Sequence, residues 1–346
     1  MLWSLLPSPP PEFYDQHPEL PPIITRRMWN RNLREQKQID EFLNPDYSQD
    51  IFDPFLFKDM AKAVQIIFAD LKNNQNIVFH GDYDADGVCS AAILIKTLVK
   101  LVAQDICLNK KPPANNIATV NVFIPHREID GYGLNMHTVD EFKKQNVDLI
   151  ITCDCGVSNC AEVAKAKEYG MRIIITDHHS VPQQIPPADA IIHPLIENEQ
   201  YPDKGLCGGG VAFKLAQALL SEHKKNNTAL PDGNLHESFE KWLLDLVALA
   251  SVGDMVPLLG ESRTIVKYGL IVLNKTQNLG LQKLLRDAGL TDESGKNKKP
   301  LDAHNIGWQI VPRLNAAGRM DHANTAFALI MSKDENEADK LSKQLN

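Results

Sequence analysis

The stretch Ile77-Val78-Phe79-His80-Gly81-Asp82-Tyr83-Asp84-Ala85-Asp86-Gly87 decides the fold. Three apolar residues run without interruption into a histidine and then three aspartates on alternate positions. An unbroken apolar run is how a strand reads when helices cover both faces of its sheet. A helical pattern follows near 88–102, then an apolar run over 120–124. The same grammar repeats with a helix near 138–144, a strand over 149–152, a helix over 161–169, a strand over 173–176 and a short strand over 190–192. This alternation predicts βαβ units: an α/β fold with a mainly parallel sheet and helices on both faces.

Two later strands end as the first does. The run 149–152 reaches Asp154 and Gly156, and the run 173–176 enters Asp177-His178-His179. In a parallel sheet the carboxyl ends share one edge, where α/β proteins place their ligands. Carboxylates gathered there raise one another's pKa unless a cation neutralises them. Aspartates with histidines make a hard-to-borderline donor set, suited to Mn²⁺ or Mg²⁺ with Zn²⁺ as a further candidate. Two ions sharing a carboxylate activate water and clamp a phosphoryl oxygen. The implied chemistry is hydrolysis at phosphorus. One aspartate after a strand is ordinarily a helix cap or turn residue. Three strand ends in succession, with histidines beside two of them, favour the metal site.

Composition sets the frame. The 346 residues are 43% hydrophobic and 23% charged, an ordinary globular profile that implies about two or three domains. A net charge of -8 excludes a surface coated in positive charge for non-specific DNA binding, while leaving room for a local basic groove. The six cysteines show no disulfide-like framework and fit reduced thiols in a cytoplasmic protein. Cys153 and Cys155 flank Asp154, and alternation turns both away from it, as core thiols. Residues 1–11 have four prolines and no basic lead, unlike a signal peptide. The apolar stretch over 243–259 is broken by Asp245 and Asp254, so no membrane span is expected.

Three segments follow: a Pro-rich, partly helical extension over 1–60 with a piece near 33–42, an α/β catalytic region over 61–260, and a helical segment over 261–346. Three- and four-residue apolar spacing predicts helices over 211–222 and 239–252, with shorter ones over 267–274, 279–287 and 322–331. The last, 335–346, is amphipathic with Ala338, Leu341 and Leu345 on one face, and has no Gly stop or Pro terminator. Loops over 109–116 and 291–300 are expected to be exposed.

At these residues the sequence resembles the DHH phosphoesterases, whose name-giving motif stands here as Asp177-His178-His179. Their first motif matches His80 to Gly87, another Asp154-Cys155-Gly156, and a fourth Ser251-Val252-Gly253-Asp254-Met255-Val256-Pro257. Within that superfamily the likeness is to the RecJ family of single-strand-specific 5′→3′ exonucleases of DNA repair and recombination. It is carried by Phe42-Leu43-Asn44-Pro45, Asp53-Pro54-Phe55, Ile124-Pro125-His126-Arg127, Gly131-Tyr132-Gly133-Leu134, Leu206 to Lys214 and Pro312 to Met320. The resemblance spans roughly residues 30–346.

The resemblance implies a ligand scheme. His80 and Asp84 would hold one ion, Asp86, His178 and Asp254 the other, and Asp154 would bridge. His179 would sit beside the scissile phosphate, steadying its oxygens or protonating the leaving group. Asp82 and Asp177 would orient ligands from behind, or serve as plain turn acids. Arg313, Asn315 and Arg319 would meet the DNA backbone, a guanidinium fork suiting phosphate oxygens. Arg127 would face substrate or stabilise its loop, and Gly208-Gly209-Gly210 would either cradle a phosphate or form a tight turn. Single-stranded DNA is the implied partner, with a single-strand-binding protein or a RecQ-type helicase beside it.

RecJ proteins continue into a DHH-associated domain and a nucleic-acid-binding OB-fold, which would follow 335–346 and are absent from this sequence. The metal site can thus be complete while the cleft that grips DNA is half built. The 109–116 loop is also longer than the family pattern. Two other functions compete. A DHH phosphodiesterase acting on short oligonucleotides, cyclic dinucleotides or pyrophosphate would not need the missing domains. A non-catalytic nucleic-acid scaffold would ordinarily lose metal ligands, whereas all seven expected positions are filled.

Overall fold

Residues 4–102, 107–108, 119–320 and 323–346 are described by a computed structural model, so the 109–116 loop lies outside the described residues. The chain opens with α1 (Pro11–Gln16), α2 (Pro22–Asn30) and α3 (Gln36–Leu43), followed by α4 (Met60–Lys72). The α/β part comprises β1 (Asn76–Gly81), α5 (Ala85–Leu101), β2 (Cys107–Leu108), β3 (Thr119–Phe123), α6 (Met136–Lys144), β4 (Leu149–Cys153), α7 (Cys160–Glu168), β5 (Arg172–Thr176) and β6 (Ala190–Ile192).

These strands form one sheet in the order β2-β3-β1-β4-β5-β6, and every described pairing is parallel. Neighbours β1 and β4 run in register from Ile77 against Leu149 to Gly81 against Cys153. The chain leaves β1 towards β2 and leaves β4 towards β5, so the strand order reverses between them. Such a switch point opens a crevice beyond the carboxyl ends of the strands.

Strand residues alternate between two cores, as a period of two requires. Ile77 and Phe79 of β1, with Leu149 and Ile151 of β4, pack on α4 and α5. Val78, Ile150, Ile173 and Ile175 pack on the other face against Val139 and Phe142 of α6 and Val163 and Ala166 of α7. Both faces are covered, which is why the strands are apolar throughout.

The remainder is helical: α8 (Gly208–Lys224), α9 (His236–Trp242), α10 (Leu244–Gly253), α11 (Gly260–Leu273), α12 (Leu279–Asp287), α13 (Ala303–Asn305), α14 (Val311–Met320), α15 (Ala323–Met331) and α16 (Glu335–Gln344). Helix α5 packs against α8 and α10 as well as the sheet, and is buried along most of its length. The helix expected over 239–252 is two, because Leu243 ends α9 and begins α10. Helix α11 starts at Gly260 rather than near 267. Helix α4 was not anticipated, although Met60, Ala63, Val64 and Ile67 bury one face at helical spacing. Its pattern straddles the end of the polar extension, which masked it.

Helices α1 to α3 enclose a small core of Phe13, Met28, Leu33 and Ile39. A buried ion pair fastens the following segment to the body: Lys214 Nζ lies 2.8 Å from Glu261 Oε1 and donates to the Phe52 carbonyl at 2.6 Å. Among the described residues no helix is long and apolar enough to cross a membrane.

Candidate metal centre

The end of β1 supplies the first donors. His80 is fully buried, and burial holds its pKa down to about 4, leaving a neutral imidazole. Its Nδ1 lies 3.7 Å from Cys155 Sγ, while Nε2 has no hydrogen-bond partner. Asp84 caps α5, its Oδ1 accepting from the amides of Asp86 (2.9 Å) and Gly87 (3.0 Å). The ordinary capping role is therefore real here, and it orients a carboxylate at the crevice. Asp86 sits in the first turn of α5, buried, with burial, Asp84 and Asp254 pushing it up to about 8. Its oxygens accept from Gly208 N (2.8 Å) and Gly209 N (2.6 Å) at the start of α8. The glycine amides thus hold a carboxylate and are not free to cradle a phosphate, and the tight-packing alternative holds. A Cβ on Gly208 would fall 2.4 Å from Asp154 Oδ1.

Beyond β4, Asp154 adopts φ 64°, a left-handed conformation that costs a non-glycine residue energy. Its amide donates to the Thr176 carbonyl at 2.9 Å, tying the bend to β5. Burial and then Asp86 raise its carboxyl well above the usual range. Beyond β5, Asp177 is a hub. Its Oδ1 accepts from His178 N (2.7 Å), His179 N (3.1 Å) and His179 Nδ1 (2.8 Å), and its Oδ2 from Val157 N (2.9 Å). Burial alone would raise it, but these donors outweigh burial and hold it below the usual value.

Asp177 thereby aims the two histidines. His178 Nε2 reaches 3.1 Å from Asp154 Oδ1, 3.7 Å from Asp86 Oδ2 and 3.7 Å from Asp254 Oδ2. Asp254 follows the end of α10, and burial with Asp84 lifts it to about 6. His179 stands nearer solvent, its side chain 40% exposed. The bond to Asp177 raises its pKa against the opposing effect of burial.

Three donor groups come together with ligand atoms within 4.8 Å of one another: Asp86-His178-Asp254, Asp154-His178-His179 and Asp82-Asp84-Asp154. The first is the trio expected for one ion. In the third, Asp82 stands with Asp84 and Asp154 where the resemblance had His80 with Asp84. Asp82 is itself pushed up to about 7 by burial and Asp84. Whether these residues suit a metal is answered by their unpartnered atoms. His80 Nε2, Asp82 Oδ1, Asp154 Oδ1 and His178 Nε2 are all buried without a hydrogen bond. Buried polar groups are rarely left so, and cations held by these donor groups would satisfy the Asp82, Asp154 and His178 atoms.

Of the residues expected to touch nucleic acid, Arg127, Arg313 and Asn315 make contacts within the chain. Asn315 Oδ1 accepts from Ala85 N at 2.7 Å, so α14 steadies the start of α5. Arg313 donates to the Gln309 carbonyl (2.6 Å) and to Asn346 Oδ1 (2.9 Å). Arg319 is on α14, with its side chain outside the described residues. Arg127 lies over the Tyr83 ring, 5.2 Å from its centroid.

The sequence matches the DHH family, N-terminal domain, over residues 76–251. The chain belongs to the DHH family. It is 36% identical over 325 residues to the single-stranded-DNA-specific exonuclease RecJ of Bacillus subtilis, covering 94% of this chain and 36% of that protein. RecJ of Escherichia coli is 31% identical over 344 residues, covering 97% of this chain and 54% of that one. Among solved structures, RecJ of Thermus thermophilus in complex with Mn²⁺ superposes with a TM-score of 0.72 at 29% identity, covering 98% of this chain and 44% of that one. An exonuclease RecJ bound to manganese gives 0.66 at 32% identity, over 84% and 65%. The chain therefore spans only part of the length of these DHH-family relatives.

Cys155 is the buried core thiol expected, and it also touches His80. Two other side chains at this DHH centre were given no role by the sequence reading. His193, fully buried beyond β6, donates from Nε2 to the His179 carbonyl (2.9 Å), since its Nδ1 accepts from Leu195 N (3.1 Å). Tyr132 brings its hydroxyl to His179 Nδ1 at 3.0 Å. Its placement between two glycines was the one available signal.

Proposed function

We propose that this chain is the catalytic part of a RecJ-type exonuclease, hydrolysing phosphodiester bonds of single-stranded DNA from the 5′ end with Mn²⁺ or Mg²⁺, two ions in all. The observation that carries the reading is the cluster at the β1/β4 switch point, whose donor groups contain the buried and unpartnered atoms of Asp82, Asp154 and His178. The similarity to RecJ along 94% of the chain supplies the substrate. Asp86, His178 and Asp254 would hold one ion and His80 and Asp84 the other, with Asp154 shared and Asp82 near enough to Asp84 and Asp154 to contribute. Bound metal supplies an activated water and neutralises charge at the phosphoryl oxygens.

The chain's own residues do the rest. Asp177 engages His179 Nδ1 and raises the pKa of the ring, so that once protonated the imidazolium presents Nε2–H to the phosphate as a donor to its oxygens or to the leaving group. Asp86, clamped by two α8 amides, keeps its oxygens fixed as the site fills. We assign 61–260 to catalysis, with 1–60 as an extension and 261–346 as a helical support that reaches the centre through Asn315.

A nuclease assay on 5′- and 3′-labelled single strands with Mn²⁺ tests the proposal. Nucleotides should leave the 5′ end first, and Asp154→Ala should abolish their release. No mononucleotide at any enzyme concentration overturns the reading. Cleavage of dinucleotides without long strands would reassign the chain to the DHH phosphodiesterases of small substrates.

A further inference from the structure

The loop between β3 and α6 is built to deliver one side chain. Gly131 and Gly133 both take positive φ, 76° and 75°, on either side of Tyr132. Asn159 pins the loop, its Oδ1 accepting from Leu134 N (3.2 Å) and its Nδ2 donating to the Leu134 carbonyl (2.8 Å). A Cβ at Gly133 would fall 2.7 Å from Asn159 Oδ1, so this close approach needs glycine. Asn135 adds a bond from Nδ2 to the Asp130 carbonyl at 3.1 Å. The pinned loop sets the Tyr132 hydroxyl 3.0 Å from His179 Nδ1, 3.4 Å from its Nε2 and 3.3 Å from the Asp154 carbonyl. The two rings meet edge to face at 5.4 Å between centroids.

We propose that Tyr132 is the positioning residue for His179: its hydroxyl donates to the Asp154 carbonyl and takes a share of the imidazole Nδ1–H that Asp177 Oδ1 also accepts, a three-centre contact that fixes the tilt of the ring. The reaction it serves rests on the exonuclease reading, but the contact does not. His179 needs such a partner because it is the exposed histidine of the pair. A ring anchored by Asp177 alone, at 2.8 Å through one nitrogen, can still swing about that bond. A second contact, from a hydroxyl that touches both ring nitrogens, removes the swing. The same hydroxyl braces the backbone of Asp154 at its left-handed bend, so one side chain aligns the imidazole with the central carboxylate. Asp177 and His193 fix where His179 leaves the backbone; Tyr132 fixes how its ring lies.

The test uses the full chain and the Tyr132→Phe variant, which keeps the ring and loses only the hydroxyl. In the metal-free protein, imidazole ¹⁵N–¹H correlations of His179, assigned with His179→Gln, should show one Nδ1–H tautomer in the wild type. Tyr132→Phe should shift and broaden that signal. In the Mn²⁺-loaded protein acting on single-stranded DNA, Tyr132→Phe should lower kcat by about tenfold, with KM and Mn²⁺ affinity unchanged within about twofold. An unchanged His179 spectrum in Tyr132→Phe overturns the proposal, as does an unchanged kcat where the wild type is active. An inactive wild type sinks the exonuclease reading instead, and the spectrum then decides Tyr132 alone.

Discussion

His178 Nε2 and Asp154 Oδ1 stand 3.1 Å apart, both buried, and neither is aligned to hydrogen-bond the other or anything else. Burial and the neighbouring His179 hold His178 down to about 4, so its ring is neutral and offers a lone pair. Two such groups buried side by side without a hydrogen bond are unfavourable unless a proton or a cation lies between them.

Replacing Asp154 by Asn keeps the shape and removes the charge. Mn²⁺ affinity should fall by about a hundredfold or more in isothermal titration. Without metal the variant should be the more stable protein, because the repulsion with Asp86 and Asp84 is gone. A rise of about 2 °C in Tm at pH near 8 is expected, with the order reversed when Mn²⁺ is added. Equal Mn²⁺ affinity in the two proteins would remove Asp154 from the site.

The pH dependence of the metal-free chain follows from the same cluster. Asp82 is raised to about 7 and Asp86 to about 8, so the folded chain holds protons that the unfolded carboxylates have already lost. Stability from such groups is present at low pH and lost as pH rises through the folded values. His80 and His178, lowered to about 4, act oppositely, but only below the ordinary histidine value of about 6.5. Between about pH 6.5 and 8, stability in EDTA should therefore decline, and Mn²⁺ binding should tighten with pH and release protons. Urea midpoints across that window, and calorimetry in buffers of different ionisation enthalpy, measure both. A midpoint in EDTA that climbs across the window contradicts the cluster's electrostatics.

Neighbouring glycines at the start of α8 should separate function from stability. A methyl group at Gly208 would meet Asp154 Oδ1 at 2.4 Å, whereas one at Gly209 would meet Ala250 Cβ at the same distance. Gly209→Ala forces α8 off α10 and should cost about 1–3 kcal/mol of folding stability. Gly208→Ala pushes on the central carboxylate and should weaken Mn²⁺ binding by about tenfold or more. Denaturant melts beside metal titrations check the pair. If both variants lost stability equally and bound Mn²⁺ normally, the Gly208 contact would be packing alone.

Much of the centre was legible because its parts are local. Ile77 to Phe79 must be strand, and Asp84 and Asp86 follow it within one turn of helix. His178 and His179 follow β5 in the same way. The helical part was less legible. Helices α9 and α10 merge in an apolar pattern that continues across Leu243, and only the bend there divides them. The choice between a phosphate cradle and a tight turn at the triple glycine was not legible for a related reason. Its amides face Asp86, a residue 122 positions away, and no pattern within the glycines says so.

By itself the sequence determined that three buried strands deliver acids and imidazoles to one edge, since strand burial and the turn that follows are set by neighbours in the chain. Only the tertiary structure decided which of those side chains face the crevice and which hold the others in place. Asp177 became the hub for His178 and His179, Asp86 was clamped by Gly208 and Gly209, and Tyr132 came to rest against His179. The direction in which a carboxylate or a ring points depends on donors brought in by distant elements, and those appear only when the sheet and the helices are packed together.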